Sequence, residues 1–193
     1  MGDDRVSGLS ALQERISLSI VSALDPMLGA RAAERLYVVA LTTDGDVMTV
    51  RLTAHTEEAL AVLLADSGEG DDLDWTEYCR WWPDEWRTGD GGVPAGDAGS
   101  LVTRSRELAD AKDAAHDHAQ WRTHARAMLV RALGDVRVAA AITAINPGWR
   151  PVLFVTDTDG DMRPTVHSID VLNAGHASPA LVTAARAFFS GQD

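Results

Sequence analysis

The strongest constraint on the fold of this chain is a pair of strand-like runs joined by a tight-turn signal. Residues 36–43 are rich in β-branched and other apolar side chains, and residues 47–53 alternate apolar with polar ones. The dipeptide Asp44-Gly45 between the runs tolerates the left-handed backbone dihedrals that hairpin turns require. We therefore predict an N-terminal antiparallel β-hairpin with one buried face and one face in water.

Helical periodicity surrounds this hairpin. Apolar residues recur every three or four positions over residues 8–24, a helix that Pro26 is expected to end or interrupt. Thr56 precedes Glu57 and Glu58, which is a favourable helix start because the hydroxyl caps free amides and the carboxylates favour the positive helix end. Later residues predict more helices, over 99–115, 118–133, 136–145, 165–172 and 179–189, and a buried strand over 151–156.

This order of elements predicts an α+β fold. Strands and helices do not alternate as they would in a doubly wound parallel sheet, so we predict a mostly antiparallel sheet packed by several helices. The chain has 193 residues, of which 46% are apolar, and this suits a single folded domain over residues 1–193. Residues 1–7 and the glycine-rich residues 87–98 are predicted to be flexible.

Charge and cysteine content narrow the predicted location and partners. A net charge of −12 disfavours nucleic acid and anionic membrane surfaces, and it suits either plain solubility or a basic protein partner. The first residues lack the layout of a secretion signal, and no apolar run is long enough for a membrane span. Since Cys79 is the only cysteine, an internal disulfide is excluded, and we predict a cytoplasmic protein.

A cluster of aspartates follows the last predicted strand. Asp157, Asp159 and Asp161 offer the carboxylate oxygens that Mg²⁺ and Ca²⁺ prefer, and residues 154–160 resemble the strand-Asp-x-Asp-Gly motif of haloacid dehalogenase phosphotransferases. An EF-hand calcium loop does not fit, since its glycine position falls on Met162 and its glutamate position on Ser168. The alternative is a polar turn that uses Asp and Gly for backbone reasons.

Other catalytic signatures are not found in the sequence. His116, His118 and His124 do not have the one-turn spacing with which two imidazoles share a metal, so we interpret them as solvated helix residues. No serine or cysteine lies in a nucleophile elbow, and there is no glycine-rich phosphate loop. We predict no cofactor, and we favour a non-enzymatic protein over an enzyme.

Aromatic residues are concentrated in one short segment, residues 75–86. Aromatics at this density form either a binding platform for a protein or ligand, or a bulky plug that closes one edge of a core with Arg80 paired to a carboxylate. The sequence leaves both interpretations open. The candidate binding residues of this segment are Trp75, Tyr78, Arg80, Trp81, Trp82, Glu85 and Trp86.

The same segment carries a resemblance to a known family. Residues 37–44, residues 54–60, the Arg-Trp-x-Pro-x-Glu-Trp pattern that begins at Arg80 and the late strand with Asp157 resemble a bacterial family catalogued as domain of unknown function 4303. The general layout is also similar to small α+β immunity proteins of bacterial toxin systems, such as the SUKH superfamily. The family has no assigned catalytic residues, so the resemblance implies none in this chain.

Three functional hypotheses follow from the sequence. The leading one is an acidic, non-enzymatic protein that binds a protein partner through residues 75–86, with a toxin-immunity role as one form of it. The alternative is a metal-dependent hydrolase or phosphotransferase that uses Asp157, Asp159 and Asp161. The second alternative is a small-molecule binding domain with tryptophans lining a pocket.

Overall fold

Strand β1 (Leu36–Thr43) is the central strand of a three-stranded sheet in the computed structural model, which describes residues 3–68, 72–86, 101–158 and 161–191. Strand β2 (Arg51–Thr56) pairs with β1 antiparallel, and strand β3 (Val152–Asp157) pairs with its other edge in parallel. The α+β class and the hairpin are as predicted. The mostly antiparallel sheet is wrong, because a long helical stretch returns the chain to β1 in the parallel sense.

Helices make up most of the described residues. None of the helices described has the combination of length and apolar character that crossing a membrane would need. The part of the chain that the structure describes contains the following α-helices: α1 (Asp3–Leu28), α2 (Glu57–Ser67), α3 (Leu73–Trp81), α4 (Leu101–Asp113), α5 (His118–Leu133), α6 (Val136–Ile145), α7 (Arg163–Leu172) and α8 (Pro179–Ser190).

Both faces of the sheet are covered, and the two faces carry different cores. On one face, α1, α4, α5 and α6 enclose a core of mainly Leu, Ile, Val and Ala side chains. On the other face, α2, α3, α7 and α8 enclose a smaller core rich in aromatic rings. A β-bulge in β1 lies between Leu36 and Val38, and it directs both Tyr37 and Val38 towards the aromatic core.

The hairpin connection is longer than the sequence predicts. Strand β2 begins at Arg51 rather than near residue 47, because the side chain of Asp44 organises the intervening residues. Its Oδ1 accepts hydrogen bonds from the amides of Asp46 and Met48, and its Oδ2 accepts one from the Thr49 hydroxyl. The prediction of one face in water is also wrong, since helices cover both faces and every residue of β1 is buried.

Most helix signals agree with the structure; the exceptions are α3, which the sequence did not predict, and the end of α1. Thr56 caps α2 through a hydrogen bond from the Ala59 amide to its hydroxyl oxygen, as predicted. Helix α1 contains Pro26 in its last turn and ends at Leu28, so the proline does not end the helix at its own position. Residues 3–7 belong to α1, whereas residues 1–2 and the predicted flexible residues 87–98 lie outside the described part.

Candidate functional site

Helix α3 gives the aromatic segment two different faces. Asp72 caps the helix by accepting hydrogen bonds from the amides of Asp74 and Trp75. Residues spaced three or four apart share one side of a helix, so Trp75, Tyr78 and the following Trp82 lie together. Trp81 projects about 120° away from Trp75 around the helix axis, and its ring lies in the aromatic core. The segment therefore has a buried part, as the packing interpretation requires, and a half-buried part that is the candidate binding surface.

The exposed side of α3 is a ladder of three aromatic rings. Trp75 and Tyr78 stack with ring centroids 5.7 Å apart, and Tyr78 and Trp82 stack at 5.8 Å, with planes inclined by 20° and 16°. Helix α8 supports the ladder from behind, since Phe188 meets Tyr78 edge-on and Phe189 packs against Trp82. We call Trp75, Tyr78 and Trp82 the aromatic ladder; all three side chains are half-buried.

Two of the candidate binding residues belong to the core instead. Trp81 is fully buried and Trp86 is 6% exposed. Their indole nitrogens are satisfied inside the protein, because Trp81 donates to the Glu77 carboxylate at 2.9 Å and Trp86 donates to the Cys79 carbonyl at 3.1 Å. The candidate surface is therefore smaller than the predicted one, since neither ring is accessible to a partner.

Two residues that the sequence did not single out, Tyr37 and His55, complete the buried side of the segment. The Tyr37 hydroxyl donates to the Arg80 carbonyl at 2.9 Å and contacts His55 Nδ1 at 2.8 Å. Because a carbonyl only accepts, the Tyr37 proton is committed to it, and His55 Nδ1 must carry the hydrogen that Tyr37 accepts. His55 also stacks on Trp86, with centroids 5.6 Å apart. The only sequence signal was two polar residues within strand-like runs.

This arrangement keeps His55 neutral. The tautomer leaves Nε2 without a proton, and that atom is buried with no hydrogen-bond partner among the described residues. Burial lowers the pKa of His55 to about 4, and the nearby charges of Arg31 and Arg80 contribute in the same direction. Burial likewise raises the pKa of the Tyr37 phenol. His55 is thus a structural member of the core at neutral pH.

Arg80, another candidate binding residue, is paired as the packing interpretation predicts. Its two terminal nitrogens contact the two carboxylate oxygens of Glu57 at 2.8 and 3.2 Å. Its guanidinium also lies 5.0 Å from the centroid of the Tyr37 ring. The pair links α3 to the start of α2 and neutralises the charge of Arg80 beside the ladder.

The surroundings of the ladder are acidic. Glu85 is half-buried and Asp84 is exposed. Burial is the main reason that the pKa of Tyr78 is raised, and the negative charges of Glu85 and Asp84 raise it further. Asp72 and Asp74 are exposed near the other end of the ladder, next to Leu73, whose side chain is 80% exposed. The ladder is therefore an apolar strip with carboxylates near both ends.

The aspartates proposed for metal binding are engaged with arginines where the structure describes them. Asp157 is buried at the end of β3 and forms an ion pair with Arg126 of α5. Asp161 is exposed and accepts from Arg163 Nε at 2.8 Å, and these hydrogen bonds lower the pKa of Asp161 to about 2. Asp159 lies outside the described residues. No set of three His, Cys, Asp or Glu side chains within the described ranges is placed to hold a metal ion.

Comparison with known proteins identifies one family. A family model described as "domain of unknown function (DUF4303)" matches residues 17–174, which span β1, β2, β3 and the aromatic segment. No curated protein and no solved structure matched the chain.

Proposed function

From the premise that this chain belongs to the DUF4303 family, whose description assigns no activity, we propose that it is a binding protein for a basic protein partner. The partner docks on the surface formed by the aromatic ladder and the flanking carboxylates. The observation that carries the proposal is the ladder itself: three stacked rings remain half-buried, whereas Trp81 of the same helix is fully buried.

The ladder has the physical properties of a binding hot spot. Tryptophan and tyrosine contribute large contact areas, and they are the residues most enriched at the energetic centres of interfaces. The rings are already held by one another and by Phe188, so binding would cost little side-chain entropy. Apolar side chains of a partner would pack across the rings, and each such contact would remove apolar surface from water.

The flanking carboxylates determine which sign of charge the partner should carry. Asp72, Asp74, Asp84 and Glu85 surround the ladder, and the guanidinium of Arg80 is occupied by Glu57. Lysine or arginine side chains of a partner would therefore be attracted to both ends of the strip. The net charge of −12 adds long-range attraction for the same class of partner, chiefly as a faster association rate.

A direct test uses a short synthetic peptide of lysine and leucine, and the same peptide with glutamate in place of lysine. We expect the basic peptide to bind and the acidic one not to bind, with weaker binding at high salt because exposed charges are screened. Substitution of Leu73 by arginine should weaken binding about tenfold, since it places a charge of the partner's own sign between the Asp72 and Asp74 carboxylates that attract the partner.

The chain offers a matched control for the charge change. Val136 on α6 is 78% exposed, close to the 80% of Leu73, so Val136→Arg changes the net charge equally at a site away from the ladder. If Val136→Arg weakens binding of the basic peptide as much as Leu73→Arg does, the attraction is a property of the overall charge. The proposed surface is then wrong.

The toxin-immunity role is the more specific form of this proposal, and it includes a cytoplasmic location. It predicts that a gene for a basic toxin lies beside the gene for this protein, and that the purified toxin binds the wild type and Val136→Arg but not Leu73→Arg. A neighbouring toxin that binds all three proteins equally would contradict the assigned surface.

A further inference from the structure

A concave surface lies on the aliphatic side of the sheet, away from the ladder. The beginning of α1 faces the junction where α4 ends and α5 begins, and between them is a groove of about 540 Å³. We call this the α1–α5 groove. Its volume falls within the range of roughly 300–1,000 Å³ that is typical of small-molecule sites.

The floor of the groove is apolar and open because its side chains are small. Ala111, Ala114 and Ala115 line the α4 side, and Leu9 and Leu12 line the α1 side. Trp121 contributes only its ring, since its indole nitrogen donates to the Asp46 carbonyl at 3.0 Å. A larger residue at the alanine positions would fill the space, so the sequence leaves room here for an apolar body.

The polar groups of the groove differ in whether they already form hydrogen bonds or ion pairs within the protein. Both carboxylates that line it are engaged: Glu107 accepts from Arg15 and Arg104, and Asp117 accepts from the amides of Ala119 and Gln120. The carboxylate oxygens of the groove are therefore already engaged by the protein.

The hydrogen-bond donors of the groove are available. Arg15 uses only its Nε toward Glu107, at 3.1 Å, and its terminal nitrogens bond to no other described residue. The side chains of Gln120, His116 and His124 also make no hydrogen bond to another described side chain or backbone group and are exposed along the rim. The terminal nitrogens of Arg15 can only donate, so a ligand that engages them must bring an acceptor.

We propose that the α1–α5 groove binds a small amphipathic carboxylate. The aliphatic chain of the ligand lies on the alanines and the Trp121 ring, and its carboxylate accepts hydrogen bonds from the terminal nitrogens of Arg15. An arginine and a carboxylate form the stronger, charge-assisted class of hydrogen bond. The two carboxylates that line the groove are compensated within the protein, since Glu107 is also paired with Arg104 and Asp117 caps α5. Repulsion from acidic residues farther than about 10 Å is screened at ordinary ionic strength.

Calorimetric titration of the purified full chain with octanoate tests this site, with 1-octanol and octylammonium as probes of the same length. We expect octanoate to bind at one site, 1-octanol to bind at least about tenfold more weakly, and octylammonium to show no binding. Arg15→Gln should weaken octanoate binding about tenfold. Arg15→Lys, which retains the charge, should bind octanoate more tightly than Arg15→Gln but less tightly than the wild type.

A pair of alanine substitutions locates the binding. Ala114→Phe fills the groove and should abolish octanoate binding, whereas Ala140→Phe adds the same group on an exposed position of α6 and should leave it unchanged. Thermal melting of both variants establishes that they are folded. Leu73→Arg should bind octanoate normally, since the two surfaces lie on different cores.

Several outcomes would overturn the inference. These are the absence of octanoate binding at millimolar concentration, equal binding of octylammonium, and octanoate binding that survives Ala114→Phe. A dimer in sedimentation experiments that Ala114→Phe dissociates would show that the groove accommodates a second copy of the chain instead.

Discussion

Trp75 and Trp81 belong to the same short helix, but Trp75 stacks in the half-buried ladder whereas Trp81 is fully buried beside Tyr37. Trp81 follows Trp75 by six positions, so the two side chains point about 120° apart around the helix axis, and one ring lies along the surface while the other enters the core. One aromatic segment can therefore anchor a fold and present a surface at once. The composition of the segment does not tell these roles apart, and only the direction of each side chain does.

The largest expected effect on stability comes from the buried ring of this pair, Trp81. Trp81→Ala removes a fully buried ring and should lower the free energy of unfolding by about 3–5 kcal/mol, measured by chemical denaturation. Trp149, which is 52% exposed, is the matched control, and Trp149→Ala should cost less than about 1 kcal/mol. Equal losses for the two variants would mean that Trp81 is not part of the core.

A pH titration should reveal the histidine that stacks on Trp86. The pKa of His55 is about 4 in the folded protein and 6.5 as a reference, so the unfolded state binds more protons between these values. Stability should fall as the pH decreases through this window, by about 3 kcal/mol in total, and become independent of His55 below it.

The control for this titration is His55→Gln, which cannot gain a charge. Denaturation of both proteins between pH 7 and pH 4 separates His55 from the carboxylates, because the carboxylates titrate in both. If the difference in stability between the two proteins does not change with pH, the neutral buried state of His55 is wrong.

Removal of the hydroxyl group from Tyr37 of β1 or from Tyr78 of α3 should give a smaller difference in stability. Tyr37→Phe leaves both the Arg80 carbonyl and His55 Nδ1 without their partner, and should cost about 1–3 kcal/mol of unfolding free energy. The Tyr78 hydroxyl makes no hydrogen bond to another described residue, so Tyr78→Phe should change stability by less than about 0.5 kcal/mol. A larger loss from Tyr78→Phe than from Tyr37→Phe would reverse the assignment of the two faces.

A ladder tryptophan should contribute much less to stability than Trp81 does. Trp75→Ala should lower the free energy of unfolding by only about 1 kcal/mol, because the ring is half-buried. The same change should weaken binding of the basic peptide by about tenfold or more, since interface tryptophans dominate binding energy. A variant that loses stability but not affinity would place Trp75 with the core residues.

Much of the local structure could be read from the sequence. Helix α2 begins after Thr56 because its cap is a local interaction between a hydroxyl and nearby amides, and β1 has the predicted bounds because its apolar run is continuous. The pairing of β3 could not be read in this way. A parallel and an antiparallel edge strand have the same apolar pattern, and the direction depends on the path of the helices between β2 and β3.

The candidate site was predicted only in part for the same reason. The sequence identified residues 75–86 as the unusual segment, but it could not separate Trp81 and Trp86 from the ladder. Tyr37 and His55 were missed, because their contact with Arg80 and Trp86 joins strands and a helix that are far apart in the chain. The donors of the α1–α5 groove come from two helices and the rim that precedes α5, and no local pattern brings them together.

The sequence by itself determined the elements of this protein: its α+β class, its hairpin, most of its helices, its acidity and the family to which it belongs. These follow from propensity, periodicity and capping, which act over a few residues. The tertiary structure decided the mixed sheet, the pairing of Asp157 with Arg126, and which aromatic rings face the solvent. Those outcomes depend on packing between distant segments, where burial and partner geometry outweigh local preference.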